Sequence, residues 1–365
     1  MLIAGGGTGG HLYPGIALAR ELQRRDPATA VTFVGTAQGI ESKVVPRENF
    51  ELDLIRVAGL KGKSRIERAM GFGLLPLAAI DSWRVIAKRK PDVVVGVGGF
   101  ASGPVLAIAA LFGYPTMLLE QNALPGITNR LLARVVRAAA VNFEAALAYF
   151  PRTGFVAGNP VRPEFFPAQN EEANDSVTQP RDAARVLVFG GSQGAHAINV
   201  AVVEAAARLA ASGIRLAITH QTGERDLDLV RTAYERAGLQ ARAEAFIFQI
   251  DREMKQAAVV ICRAGATTLA ELAASGTPSI LVPLPTATDD HQRKNAEVFA
   301  KAGAAAVIEE RELKTELAGL LETVISDSQG RMRMSQAARS LARPDAAERI
   351  ADRVEQLARR GGDAR

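Results

Sequence analysis

The sequence predicts an α/β protein made of two doubly wound domains in tandem, each built on a parallel sheet. Three observations carry this reading. Short β-branched runs alternate with segments of helical period along all 365 residues. That length suits two cores of ordinary size. The halves also open alike, each with a strand, a glycine-rich turn and a helix. The first turn is Gly6-Gly7-Thr8-Gly9-Gly10-His11 and the second Gly190-Gly191-Ser192-Gln193-Gly194-Ala195-His196.

Taken in order, strands of the first half are expected at residues 2–4, 31–34, 52–57, 93–97, 116–119 and 138–141, with a helix over 15–25. The first strand is short, which leaves a truncated or misassigned start codon open. In the second half, strands are expected at 185–189, 215–219, 243–248, 259–262, 279–282 and 305–308, with helices over 195–211 and 224–237. The polar, proline-containing stretch 167–182 reads as the connection. Residues 345–360, behind Pro344, form an amphipathic helix that can return to the first domain. The expected division is therefore 1–158 with 345–360, and 159–344.

Composition narrows the class. Hydrophobic content of 48% with 23% charged residues is that of a soluble globular chain. A single cysteine, Cys262, excludes an intramolecular disulfide framework and fits a reducing compartment. No basic and apolar leader precedes the first glycine turn, and the longest apolar stretch, 69–80, is too short to span a bilayer. A cytosolic protein, attached to a membrane or not, is expected.

Both glycine turns sit where a strand meets a helix, a place that favours anions. Neither fits a common nucleotide motif. An NAD site wants an acidic residue at the end of the second strand, where this chain has Gly35-Thr36; a P-loop wants a lysine that neither turn has. A third segment, 261–271, is more specific. Its strand ends at Cys262, a small-residue turn follows, and a helix starts near Ala266, with Glu271 on the face of Thr267. A diphosphate could rest on that first turn while Glu271 accepts both hydroxyls of a ribose; the alternative is a surface glutamate favouring the helix N-terminus.

Seven motifs in order, at residues 6–15, 98–104, 120–122, 158–162, 190–194, 263–271 and 289–295, make the chain resemble the MurG family, the N-acetylglucosamine transferases of bacterial cell-wall synthesis. The resemblance spans essentially the whole chain. It implies an α/β GT-B glycosyltransferase with two Rossmann-like domains facing a cleft, UDP-GlcNAc held mainly by the C-terminal domain and lipid I by the N-terminal one. The implied reaction is inverting transfer to the C4 hydroxyl of the acceptor's muramic sugar, giving lipid II and UDP, with no metal and no cofactor. It also implies a peripheral enzyme on the cytoplasmic face of the membrane, in association with other cell-wall synthesis proteins. Two departures are Phe100, where some members have tyrosine, and His291 before Gln292, where some have two glutamines.

Inverting transfer needs a base for the attacking hydroxyl and groups that absorb charge on the leaving diphosphate. His11 is the base candidate by type and place, with a purely positioning histidine as the alternative. Glu120 is a rival base, a partner for the acceptor, or a structural carboxylate. Ser192, Gly194 and their helix N-terminus would take the diphosphate, joined by Arg162, whose alternative is a linker salt bridge. By resemblance, the Thr8, Gly9 and Gly10 backbone, Asn122, the turn from Ala266 and Thr267 to Glu271, and Gln292 contact the donor, with His291 beside it in the substrate-binding set. Ile250 matches the uracil-reading position, to within about one residue because of an insertion near Phe248. That leaves the Thr8–His11 turn to the acceptor side.

Asp226-Leu227-Asp228 has the spelling of a metal-binding motif, but its charged neighbours mark it as a solvated helix face; His196 and His220 read as structural or surface. Residues 61–90 carry eight basic side chains against two acidic ones, flanking Met70, Phe72, Leu74, Leu75, Leu77, Ile80 and Trp83. An apolar patch ringed by lysine and arginine suits an anionic membrane surface, the alternative being core, and nucleic acid is disfavoured. Three rival functions stay open: a UDP-GlcNAc epimerase, a transferase acting on another glycolipid, and a sugar-nucleotide-binding regulator.

Overall fold

In the computed structural model, the described residues are 1–57, 74–167, 183–191 and 193–362. The chain divides into Met1–Val161 with Arg343–Arg365, and Arg162–Ala342.

The first unit alternates β1 (Leu2–Gly5), α1 (Gly9–Arg25), β2 (Thr32–Gly35), α2 (Glu41–Arg47), β3 (Glu51–Leu54), α3 (Leu75–Arg89), β4 (Val94–Gly98), α4 (Ser102–Leu111), β5 (Thr116–Glu120), α5 (Ile127–Leu132), β6 (Ala138–Val141) and β7 (Gly154–Val156). The described strands pair in parallel in the order β3-β2-β1-β4-β5-β6-β7. Covered on both faces, β1, β4, β5 and β6 are buried throughout; β1, β4 and β6 read as apolar runs, and β5 is apolar between Thr116 and Glu120. Gly15 lets α1 lie close on the sheet: a Cβ there would sit 3.2–3.4 Å from Ile3, Val97 and Phe33. α1 starts at Gly9, well before the expected residue 15. Tertiary contact overrides the glycines' weak helix propensity. β7 went unforeseen because three residues opening on glycine carry no β signature.

Within this unit the terminal helix, α13 (Ala346–Gly362), packs on α1. Ile350, Ala351, Val354 and Leu357 enter the same core as Leu12, Ile16 and Leu22. Each of the larger aliphatic chains contributes roughly 1.5–3 kcal/mol on burial. Arg25 ties the pair at the surface through Asp352 (2.7 Å) and Glu355 (3.2 Å).

The second unit holds β8 (Ala184–Phe189), α6 (His196–Ala211), β9 (Leu216–Gln221), α7 (Leu227–Arg236), β10 (Ala241–Glu244), α8 (Ile250–Gln256), β11 (Val259–Cys262), α9 (Ala266–Ser275), β12 (Ser279–Leu281), α10 (His291–Lys301), β13 (Ala306–Val307), α11 (Leu313–Ser326) and α12 (Ser328–Ser340). Its described strands are again parallel, in the order β10-β9-β8-β11-β12-β13. β10 ends at Glu244, four residues before its expected end, because Phe246 and Phe248 leave the sheet and pack edge to face in an exposed loop (5.1 Å between ring centres). Their β propensity misled the sequence reading.

Candidate active site

Open parallel sheets bind ligands beyond the carboxyl ends of their strands, where the order reverses. In the first unit that point lies between β1 and β4, and in the second between β8 and β11. The glycine turns leave β1 and β8 at these points.

In the first unit the two glycine segments lock together. Gly6 N–H donates to the Gly98 carbonyl (3.2 Å), and Gly7, Gly98 and Gly99 all have left-handed φ (84°, 96° and 80°). His11 lies in the first turn of α1, its backbone N–H on the Thr8 carbonyl (3.2 Å). Its imidazole lies against Gly98, where any Cβ would strike the ring. α1 begins with no acidic residue in its first turn and no side-chain cap from Thr8. A residue that the motifs did not reveal supports this turn. Glu41, only 1% exposed, accepts from Gly7 N–H (2.7 Å) through Oε2 and from both Thr36 N–H and Thr36 Oγ1 (2.9 Å each) through Oε1. Its sequence signal is faint, an acid embedded among Gly35, Gly39 and a distant glycine turn.

Glu120 ends β5 and is buried. It accepts from Asn122 N–H and Nδ2, from Gly126 N–H and from Asn129 Nδ2. Burial pushes its carboxyl above the usual range, and these four donors pull the other way. The geometry joins Glu120 to Asn122 as a support for that loop.

In the second unit the turn after β8 is held from β9. Gln221, buried, donates through Nε2 to the Gly191 carbonyl (2.9 Å) and accepts the Ile247 N–H through Oε1 (2.8 Å). Gly194 (φ 71°) lies so close to the Thr222 carbonyl that a Cβ could not fit. Ser192 lies outside the described residues. α6 follows, again with no acidic residue in its first turn and no side-chain cap. Ile250, half-buried, opens α8, while the loop before it is the part that Gln221 grips.

Below this turn runs a polar chain. Tyr234 OH donates to His220 Nδ1 (2.9 Å), and His220 Nε2 donates to Asn199 Oδ1 (3.0 Å). Asn199 Nδ2 donates to the Thr222 carbonyl and to Asp226 Oδ2 (2.9 Å each), which also accepts from His196 Nδ1 (3.0 Å). Burial drives the His220 pKa down to about 4. The reading of Asp226-Leu227-Asp228 as a solvated face therefore needs correction. Asp228 is exposed, but Asp226 is 5% exposed and its carboxyl is held down at about 2, first by Arg225 and then by His196 and Asn199 against the effect of burial. His220 is structural, as expected. Among the described residues, no group of three or more His, Cys, Asp or Glu gathers to hold a metal.

The segment after β11 forms the turn its composition suggests. α9 starts at Ala266 behind an extended Gly265, with no acidic residue in its first turn. Asn295 reaches the Ala264 carbonyl (3.3 Å), and Arg263 reaches the carbonyls of Val282 and Pro283 (3.3 Å each) and pairs with Glu310. Glu271 is half-buried on α9 near Thr267. Burial raises its pKa to about 7, the Arg162 charge opposes the rise and Asp251 adds to it. Arg162 itself lies over the Phe165 ring (5.1 Å). Gln292, in the first turn of α10, accepts from Leu284 N–H (3.0 Å). Just before His291, Asp289 and Asp290 both adopt left-handed φ (53° and 55°), strain of the kind that functional loops store.

On α3, Leu75, Ile80 and Trp83 stand exposed beside Arg84 and Lys88, and Leu74 is half-buried; Met70 and Phe72 lie outside the described residues. No described helix is long and apolar enough to cross a membrane.

Comparison with known proteins now bears on the chain. Residues 1–141 match the N-terminal domain of glycosyltransferase family 28, and residues 185–350 its C-terminal domain. The UDP-N-acetylglucosamine--N-acetylmuramyl-(pentapeptide) pyrophosphoryl-undecaprenol N-acetylglucosamine transferase of Anaeromyxobacter dehalogenans is 49% identical over 362 residues, 99% of this chain and 93% of that one. The enzyme of the same name from Myxococcus xanthus is 48% identical over 354 residues, covering 96% and 91%. Among solved structures, Acinetobacter baumannii MurG superposes with a TM-score of 0.79 at 29% identity, covering 98% of this chain and 99% of its own.

Proposed function

The chain belongs to glycosyltransferase family 28, and from that premise we propose that it transfers N-acetylglucosamine from UDP-GlcNAc to lipid I, making lipid II and UDP for peptidoglycan. The C4 hydroxyl of the muramic sugar attacks the donor's anomeric carbon, the bond to the UDP oxygen breaks, and configuration at that carbon inverts. His11 takes the hydroxyl proton, since it is the imidazole that the glycine turn of the first unit presents. The Thr8, Gly9 and Gly10 backbone, with Asn122 steadied by Glu120, orients the reactants.

The observation that carries the donor half is the gathering of Arg162, Glu271 and the first turn of α9 in one unit. Glu271 accepts the ribose hydroxyls. The diphosphate lies on the amides around Gly194, Ala266 and Thr267, with Ser192, and Arg162 adds a full positive charge. Ile250 and the loop before it read the uracil, and His291 and Gln292 meet the donor sugar. Positive charge for the leaving group thus comes from protein groups, so transfer persists in EDTA; its loss on chelation would hand that role to a metal.

The exposed apolar stripe of α3 with its basic flank supports peripheral docking on the anionic cytoplasmic face of the membrane, where Leu74, Leu75 and Trp83 meet lipid and Met70 and Phe72 extend the same patch in sequence. Supplying radiolabelled UDP-GlcNAc to the protein with lipid I in anionic vesicles tests the whole reading. Labelled lipid II is expected. Epimerised sugar from UDP-GlcNAc alone, with no lipid-linked product, would overturn it in favour of an epimerase.

A further inference from the structure

We infer that Glu41 is the internal anion of the first glycine loop, a positioning residue that holds the turn leading to His11. The inference rests on the assignment of that turn to the transfer reaction. Glu41 belongs to α2, yet the hydrogen bonds to its carboxylate come from elsewhere, from Gly7 after β1 and Thr36 after β2. Among the described residues no salt bridge reaches it, so a buried carboxylate is carried by N–H and O–H donors alone. Thr36 Oγ1 in turn accepts from Gly39 N–H (3.2 Å), which closes the loop around the acid.

The glycines explain themselves around this side chain. A Cβ on Gly6 or Gly39 would overlap the Glu41 carboxylate, and one on Gly35 its Cγ. Those absent side chains make room for an acid of the chain itself. A segment that looks in sequence like a phosphate cradle already holds its anion, and a phosphate on the Gly7 amide would meet both occupied space and like charge. The turn in the second unit differs on this point. There an uncharged amide, Gln221, grips the Gly191 carbonyl, and no carboxylate is shown accepting from the glycine amides of that turn among the described residues. The first loop is thus built for shape, with Gly7 pinned by Glu41 and His11 four residues on.

If the carboxylate acts by position, a free carboxylate of the right size can replace it. Glu41→Ala leaves a cavity edged by Gly7 N–H, Thr36 N–H and Thr36 Oγ1 that formate fits. Expected for E41A is a kcat lower by on the order of a hundredfold, the scale of a misplaced catalytic group, with KM for UDP-GlcNAc unchanged. Formate should restore kcat and raise the melting temperature of E41A, and should do neither for Glu41→Gln, whose amide fills the space. Wild-type kcat in E41A would overturn the inference, as would a loss that formate does not repair. Should E41A fail to fold, E41Q decides: a fall in kcat at unchanged KM supports positioning, and unchanged kcat refutes it. A wild-type chain inactive on lipid I would count against the proposed function alone, because the formate-dependent rise in melting temperature still tests the cavity.

Discussion

Glu120 grips Asn122 by both of its amides: Oε1 accepts the Asn122 backbone N–H at 2.9 Å and the side-chain Nδ2 at 3.2 Å. A buried carboxylate so engaged directs a neighbour, and it has little capacity left to take a proton from substrate.

Glu120→Gln should therefore act through Asn122. One of its terminal groups becomes a donor facing donors, and the loop from Asn122 to Asn129 loses its anchor. KM for UDP-GlcNAc should rise about tenfold, the scale of one charge-assisted hydrogen bond, while the pH dependence of kcat keeps its shape. A vanished limb in that profile at unchanged KM would make Glu120 the base.

Glu271 sets a pH dependence on the donor side. Its pKa is raised to about 7, and only the ionised form accepts two ribose hydroxyls. As pH falls below 7 the carboxyl takes up a proton and KM for UDP-GlcNAc should climb; above 7 it should level off. Glu271→Gln should show a KM raised roughly tenfold or more at pH 8 and flat across this range. A wild-type KM independent of pH from 5.5 to 8 would remove Glu271 from the ribose.

His220 makes the second unit sensitive to acid. Its folded pKa of about 4 lies below the ordinary 6.5, so the unfolded chain binds the extra proton as pH drops between these values. Stability is full above pH 6.5 and is lost progressively toward pH 4, by about 3 kcal/mol in all. Urea unfolding at pH 7 and 4.5 should show this slope for the wild type and a weaker one for His220→Asn. Equal slopes would place the acid sensitivity elsewhere.

Trp83→Glu and Leu75→Glu should weaken sedimentation with vesicles of anionic phospholipid, and raised salt should weaken it further through Arg84 and Lys88. Transfer to a water-soluble lipid I analogue should survive both substitutions. Undiminished vesicle binding would move the docking surface off α3.

Much of the architecture was legible because both sheets are parallel and buried, which writes their strands as apolar runs such as Val94–Val97 and Val259–Cys262. Helix starts on glycine were not, since the weak helix propensity of Gly9 and Gly10 hides the first turn of α1. Motif residues such as His11 and Asn122 stand at a helix start and just past a strand end, where local chemistry shows in sequence. Their supports do not. Glu41, Gln221 and Asn199 act across elements from segments that carry no motif, and only the fold reveals that Gly7, Gly191 and Thr222 are their partners. Asp226 was misread for the same reason, because a charged neighbourhood in sequence gives no hint that one of its acids turns inward.

The place of α13 has a consequence for synthesis. A ribosome delivers β1 to β7, then the entire second unit, and only then the helix whose Ile350, Val354 and Leu357 seal the first core beside α1. Until that moment the nascent chain carries an uncovered greasy flank on its earliest-made half. A premature stop that removes α13 would leave that flank open permanently, and the product would be expected to aggregate or be degraded even though every catalytic residue had been translated.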